Sequence, residues 1–127
     1  CHGRLFHAAQ DLLLTSPLHA HSPQALVNIS YSSVKAGVML PKLLVRIADD
    51  LARRLEHNDQ LRSQELANMA WSLSKASLEP CPPLQRFVKF ACRCASKSLH
   101  NFKPQELTIF LWAVAKMGYV DCVDLTF

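Results

Sequence analysis

The sequence predicts an all-α fold, an α-solenoid of stacked antiparallel helical hairpins on a repeat of about 40 residues. Two observations predict it: one stretch of helical text returns in register, and each copy carries helix punctuation at matching places. Composition agrees, because a chain with only three glycines and abundant leucine and alanine favours helix.

The copies are PQALVNISYSSVKAGV at 23–38, SQELANMAWSLSKASL at 63–78 and PQELTIFLWAVAKMGY at 104–119. A glutamine (Gln24, Gln64, Gln105), a leucine (Leu26, Leu66, Leu107), an aromatic (Tyr31, Trp71, Trp112) and a lysine (Lys35, Lys75, Lys116) hold register in all of them. Chance does not readily return four positions three times in one frame.

Pro23 and Pro104 suit a first helical turn, where a missing N–H costs nothing. Glu65 and Glu106 put negative charge at the positive end of the helix dipole. Gly37 and Gly118 fall where a left-handed residue ends a helix, with Ser77 the weaker substitute. These signals predict helices near 23–37, 63–77 and 104–118.

Partner helices fill the gaps. Pro41 opens one, through Leu43, Leu44, Ile47, Ala48, Leu51 and Leu55 at helical spacing, and Pro82-Pro83 opens the next, through Leu84, Phe87, Phe90 and Ala91. Leu5 to Thr15 reads as the remainder of an earlier partner. The repeats then run roughly 1–38, 39–78 and 79–119, with 120–127 entering a further one. Opening on Cys1 and stopping at Phe127, the chain is expected to be a segment of a longer protein.

Half of the 127 residues are hydrophobic and 19% are charged, a globular balance. No apolar run approaches the roughly 18 residues of a membrane span, so no membrane partner is expected. The five cysteines match no disulfide framework, and Cys92-x-Cys94 lacks the spacing of most zinc knuckles, so buried free thiols are expected. His19-x-His21 is a loop pair without further ligands. No phosphate loop, paired-histidine metal motif or nucleophile elbow appears, so neither catalysis nor a cofactor nor a metal is expected in this segment.

Binding residues are sought in two stripes. On the repeated helix, Gln64, Asn68, Trp71 and Lys75 share one face; Gln24, Asn28, Tyr31 and Lys35 repeat it, and Gln105, Ile109, Trp112 and Lys116 repeat it without the asparagine. Asparagine can read a base edge, an aromatic can stack on a base, and lysine can meet phosphate. The same residues also suit packing between neighbouring hairpins. The second stripe is a basic ridge, Arg86, Lys89, Arg93 and Lys97, with no acidic residue between Glu79 and Glu106. It suits sequence-independent phosphate binding, or a solvated helix face. Lys42, Arg46, Arg53 and Arg54 on the earlier partner are mixed with Asp49, Asp50 and Glu56 and read as a solvated face. Net charge is only +4, so the distribution matters more than the sum.

The copies at 64–76 and 104–119 resemble the octotricopeptide repeat, and are similar to heptatricopeptide repeats and to the repeat regions of RAP-domain and FAST-kinase-type proteins. That resemblance implies an organellar RNA-binding solenoid, mitochondrial or alternatively plastid, that acts in RNA maturation or translation. It implies ribosomal RNA or an organellar transcript as partner, with neighbouring proteins of a ribonucleoprotein complex such as the mitochondrial ribosome. A protein-binding scaffold, or an arm attached to an enzyme domain outside the segment, are the other readings of such a fold.

Overall fold

A computed structural model describes residues 2–118, so the expected entry of 120–127 into a further repeat lies outside the described residues. The described chain is all-α: α1 (His2–Leu14), α2 (Pro23–Lys35), α3 (Pro41–Glu56), α4 (Ser63–Ala76), α5 (Pro82–Lys97) and α6 (Pro104–Met117). Short 3₁₀ turns at Leu18–Ala20 and Leu99–Asn101 lead into α2 and α6.

The helices start and stop where the punctuation asks. Proline occupies the first turn of α2, α3, α5 and α6. The Ser22 hydroxyl accepts from the Ala25 N–H at 3.1 Å, satisfying one of the orphan donors of α2. Glu65 and Glu106 go further than dipole compensation, accepting from the Arg62 and Lys103 N–H groups at 2.8 and 2.9 Å. Gly37, Ser77 and Gly118 are all left-handed, at φ 80°, 51° and 75°. Asn58 is a fourth left-handed residue, just past the end of α3, at φ 70°.

Alternate helices are side-by-side neighbours. α2 packs along α4 and α4 along α6 in one row; α3 packs along α5, with α1 against α3, in the other. The core lies between the rows. Leu26 and Leu66 from the first row and Leu44, Ile47, Leu51 and Phe87 from the second are completely buried. Ser30, Ser33, Ser72 and Ser74 are buried too, and each hydroxyl donates to a carbonyl three or four residues back in its own helix. A serine satisfied in this way behaves as a small spacer and leaves no orphaned polar group. Ser30 therefore sits at the place of Ala70 without penalty.

The third copy differs from the first two. Leu107 is only partly buried, and Leu111 is 54% exposed although its counterparts Ser30 and Ala70 are covered. The reason is positional: α4 is flanked by helices on both sides, whereas α6 has a described neighbour on one side only.

The charged face of α3 also departs from expectation. Arg54 is not solvated. Its guanidinium donates to Asp50 at 2.7 Å, to the Leu18 carbonyl at 3.2 Å and to the His21 carbonyl at 2.6 Å, clamping the segment before α2. Arg46 donates to the Leu14 carbonyl at 3.1 Å, at the end of α1. Both use the planar multi-donor head of arginine on backbone oxygens at helix and turn ends.

Candidate nucleic-acid interface

α4 is walled in by α2 and α6 and backed by α5, so most of its surface is buried: Leu66, Ala67, Met69, Ala70, Ser72, Leu73 and Ser74. What remains is chiefly the line Gln64, Asn68, Trp71 and Lys75, of which Gln64 and Lys75 are exposed and Asn68 and Trp71 half-buried. The recurrence of that line in the sequence has a physical basis, since it is the face each helix of this row turns away from the second row. Gln24, Asn28 and Lys35 on α2, and Gln105, Ile109, Trp112 and Lys116 on α6, are likewise exposed. The first row thus presents polar and basic side chains of all three helices on one surface, with Trp112 as its exposed aromatic.

Two features divide that surface. Near the helix starts, Gln24, Asn28, Gln64, Asn68, Arg62 and Glu65 line a small cleft of about 70 Å³ between α2 and α4. Asn28 and Asn68 come together there, and among the described residues neither carboxamide is taken up by a side-chain hydrogen bond. One turn further along, Tyr31 and Trp71 pack on each other with ring centroids 5.2 Å apart and planes tilted by 46°. The Lys35 ammonium lies 6.0 Å from the Tyr31 ring and 5.9 Å from the Trp71 ring. On α6 the pattern opens: Trp112 is 52% exposed, with the Lys116 ammonium 5.0 Å from its ring.

Lys35, Lys75 and Lys116 make no ion pair among the described residues, the ion pairs there being those of Arg53, Arg54 and Arg86. Each lysine sits in the last turn of its helix, where the dipole favours a cation. Their charge is favoured by the helix ends and unpaired among the described residues.

The basic ridge is placed on the other row, on the face of α5 opposite buried Val88, Ala91 and Ala95. It is less bare than the sequence suggests. Arg86 donates to Asp49 of α3 at 2.7 Å, and Asp49 also pairs with Arg53 at 3.0 Å. Lys89 and Arg93 lie 5.8 and 5.5 Å from the Phe90 ring. Arg93 and Lys97 share a groove of about 360 Å³ with Glu56 and Asp59. Carboxylates some 37 residues earlier in the chain thus dilute the ridge. An exposed pair such as Arg86–Asp49 is worth only about 0–1 kcal/mol, so it weakens the ridge without abolishing it.

The remaining chemistry is sparse. Cys92 is 6% exposed, and burial pushes its thiol up to about 11, which keeps it protonated and unreactive at neutral pH. No helix is long and apolar enough to cross a membrane among the described residues. No group of three or more histidine, cysteine, aspartate or glutamate side chains that could hold a metal occurs among them either.

Comparison with known proteins returns no matching family model, no matching curated protein and no matching solved structure.

Proposed function

We propose that this chain is an α-solenoid that binds single-stranded RNA along the surface of α2, α4 and α6. One observation carries the reading: three adjacent helices expose a lysine at the same position side by side, those lysines are free of ion pairs among the described residues, and Trp112 adds an exposed ring beside one of them. An exposed aromatic ring and a row of unpaired cations suit an unpaired base and its phosphates, with no need for a deep pocket. The carboxamides of Asn28 and Asn68 add donors and acceptors for base edges in the α2–α4 cleft. The ridge on α5 is a secondary electrostatic surface, because Asp49, Glu56 and Asp59 oppose it. The organellar setting, mitochondrial or plastid, and a role in RNA maturation, translation or a ribosome rest on the family resemblance.

Binding of a labelled single-stranded RNA, measured over a range of salt concentrations, tests the proposal. With Lys35, Lys75 and Lys116 all on phosphate, log affinity falls against log salt with a slope of about −2, from about −0.7 per contact. Binding that ignores salt, or no binding, rejects it.

A protein-binding scaffold is the second reading, and a specific observation favours it. α1 exposes Leu5 at 70% and Leu12 at 71%, seven residues apart on one face. Paired exposed leucines of this kind suit a partner helix. Loss of a co-purifying protein on changing both to glutamine, with RNA binding unaltered, would support it.

A further inference from the structure

The three aromatic positions of the repeated helix are chemically alike but not equally available. Tyr31 and Trp71 are both partly buried and cover one another, and Lys35 lies against both rings. A base could stack on either only after that arrangement came apart. Trp112 has no aromatic neighbour of this kind among the described residues, where the only other ring pair is Phe102–Phe110. Just over half of Trp112 is open to solvent, and among the described residues the cation over its ring is the Lys116 ammonium at 5.0 Å.

We infer that Trp112 is a stacking platform for one unpaired nucleobase, with Lys116 bracing the indole and meeting the adjoining phosphate. This deepens the RNA-binding reading and rests on it. An indole carries a large polarisable face, and a solvent-exposed one keeps apolar area in water until something flat covers it. A cation over one face leaves the other for a base, and the same cation attracts the phosphate that accompanies it. Every base has a π-face, so the platform is indifferent to sequence. The α2–α4 cleft, with its two asparagines, differs from it in chemistry: Ile109 of α6 stands where Asn28 and Asn68 stand in the other copies.

The chain has two tryptophans, so Trp71→Phe leaves Trp112 as the sole indole reporter. That variant is titrated with a short oligouridylate and with an abasic ribose-phosphate oligomer of equal length, following indole fluorescence and the anisotropy of labelled oligomer together. Stacking predicts that oligouridylate quenches Trp112 while the abasic oligomer binds without quenching. In the otherwise native chain, Trp112→Ala should weaken oligouridylate binding by between about 5- and 150-fold, and Trp112→Phe should recover most of that loss. The slope of log affinity against log salt should stay the same in Trp112→Ala, since no charge is removed. Circular dichroism on each variant reports the fold. RNA that binds without quenching, or a Trp112→Ala loss shared equally by the abasic oligomer, overturns the platform and leaves RNA binding standing. Absence of binding to either oligomer overturns both. Indole burial that tracks protein concentration in the absence of RNA overturns the platform in favour of a protein contact.

Discussion

Leu66 and Leu107 occupy one register position in two copies of the same helix, and the structure treats them differently. Leu66 is completely buried in α4, between two flanking helices, while Leu107 in α6 is partly exposed. Truncation to alanine removes three carbons. At about 0.8 kcal/mol per buried carbon the transfer loss at Leu66 is about 2.4 kcal/mol. A cavity enclosed on all sides adds to it, which places Leu66→Ala in the upper half of the range of about 2–5 kcal/mol seen for core leucines. At Leu107 the transfer loss is smaller and solvent enters the space, so about 1–2 kcal/mol is expected. Urea unfolding of the two variants and the parent chain, followed by circular dichroism at 222 nm, a wavelength at about the helical minimum, measures the difference. Equal losses at the two sites, or a Leu66→Ala loss below about 0.5 kcal/mol, would show that the two-row packing around α4 is wrong.

Three further outcomes follow from particular side chains. Arg54→Ala leaves Asp50 without its partner and the His21 carbonyl without a donor, and should cost about 2–3 kcal/mol in thermal or urea unfolding; Arg54→Lys should recover little, because an ammonium cannot reproduce the fork. Ser77→Gly relieves a left-handed residue at φ 51° and should stabilise the chain by about 0.5–1 kcal/mol, raising the melting temperature, whereas Gly37→Ala at φ 80° should lower it. Burial raises the Cys92 thiol from 9.0 to about 11, so the folded state favours the protonated form. The stability this contributes is full below pH 9 and is lost as pH rises towards 11; comparison of native chain and Cys92→Ala across that window should show the steeper decline in the native chain.

Much of the fold is legible locally. Helix starts at prolines, the left-handed residues 37, 77 and 118 and the apolar spacing of α3 and α5 are all properties of a few consecutive residues, and the structure places them where the text does. The long-range charge pattern is not legible in that way. Arg86 looks unopposed over its own stretch of sequence, but side-by-side packing of α3 and α5 brings Asp49 to 2.7 Å from it. Arg54 looks like one of several surface cations, and only the return of the chain before α2 shows that it holds the Leu18 and His21 carbonyls. The stripe on the repeated helix is legible as a pattern and ambiguous as a role. Tyr31 and Trp71 pack on each other while Trp112 does not, although the sequence writes all three in the same register.

Whether RNA lies on the first row of helices is decided by comparing two variants. Lys35, Lys75 and Lys116 are changed together to glutamine in one variant, and Arg86, Lys89, Arg93 and Lys97 in another, with single-stranded RNA binding measured at several salt concentrations. Glutamine is a helix former close to lysine and arginine, so circular dichroism should be nearly unchanged in both. The first variant should lose affinity, and its salt slope should shrink by about 2, from about 0.7 per lost phosphate contact. The second variant should change the slope by less than about 1, because acidic neighbours already oppose that ridge. An unchanged slope in the first variant, with helicity intact, would contradict the account, and a loss confined to the second would move the RNA to α5.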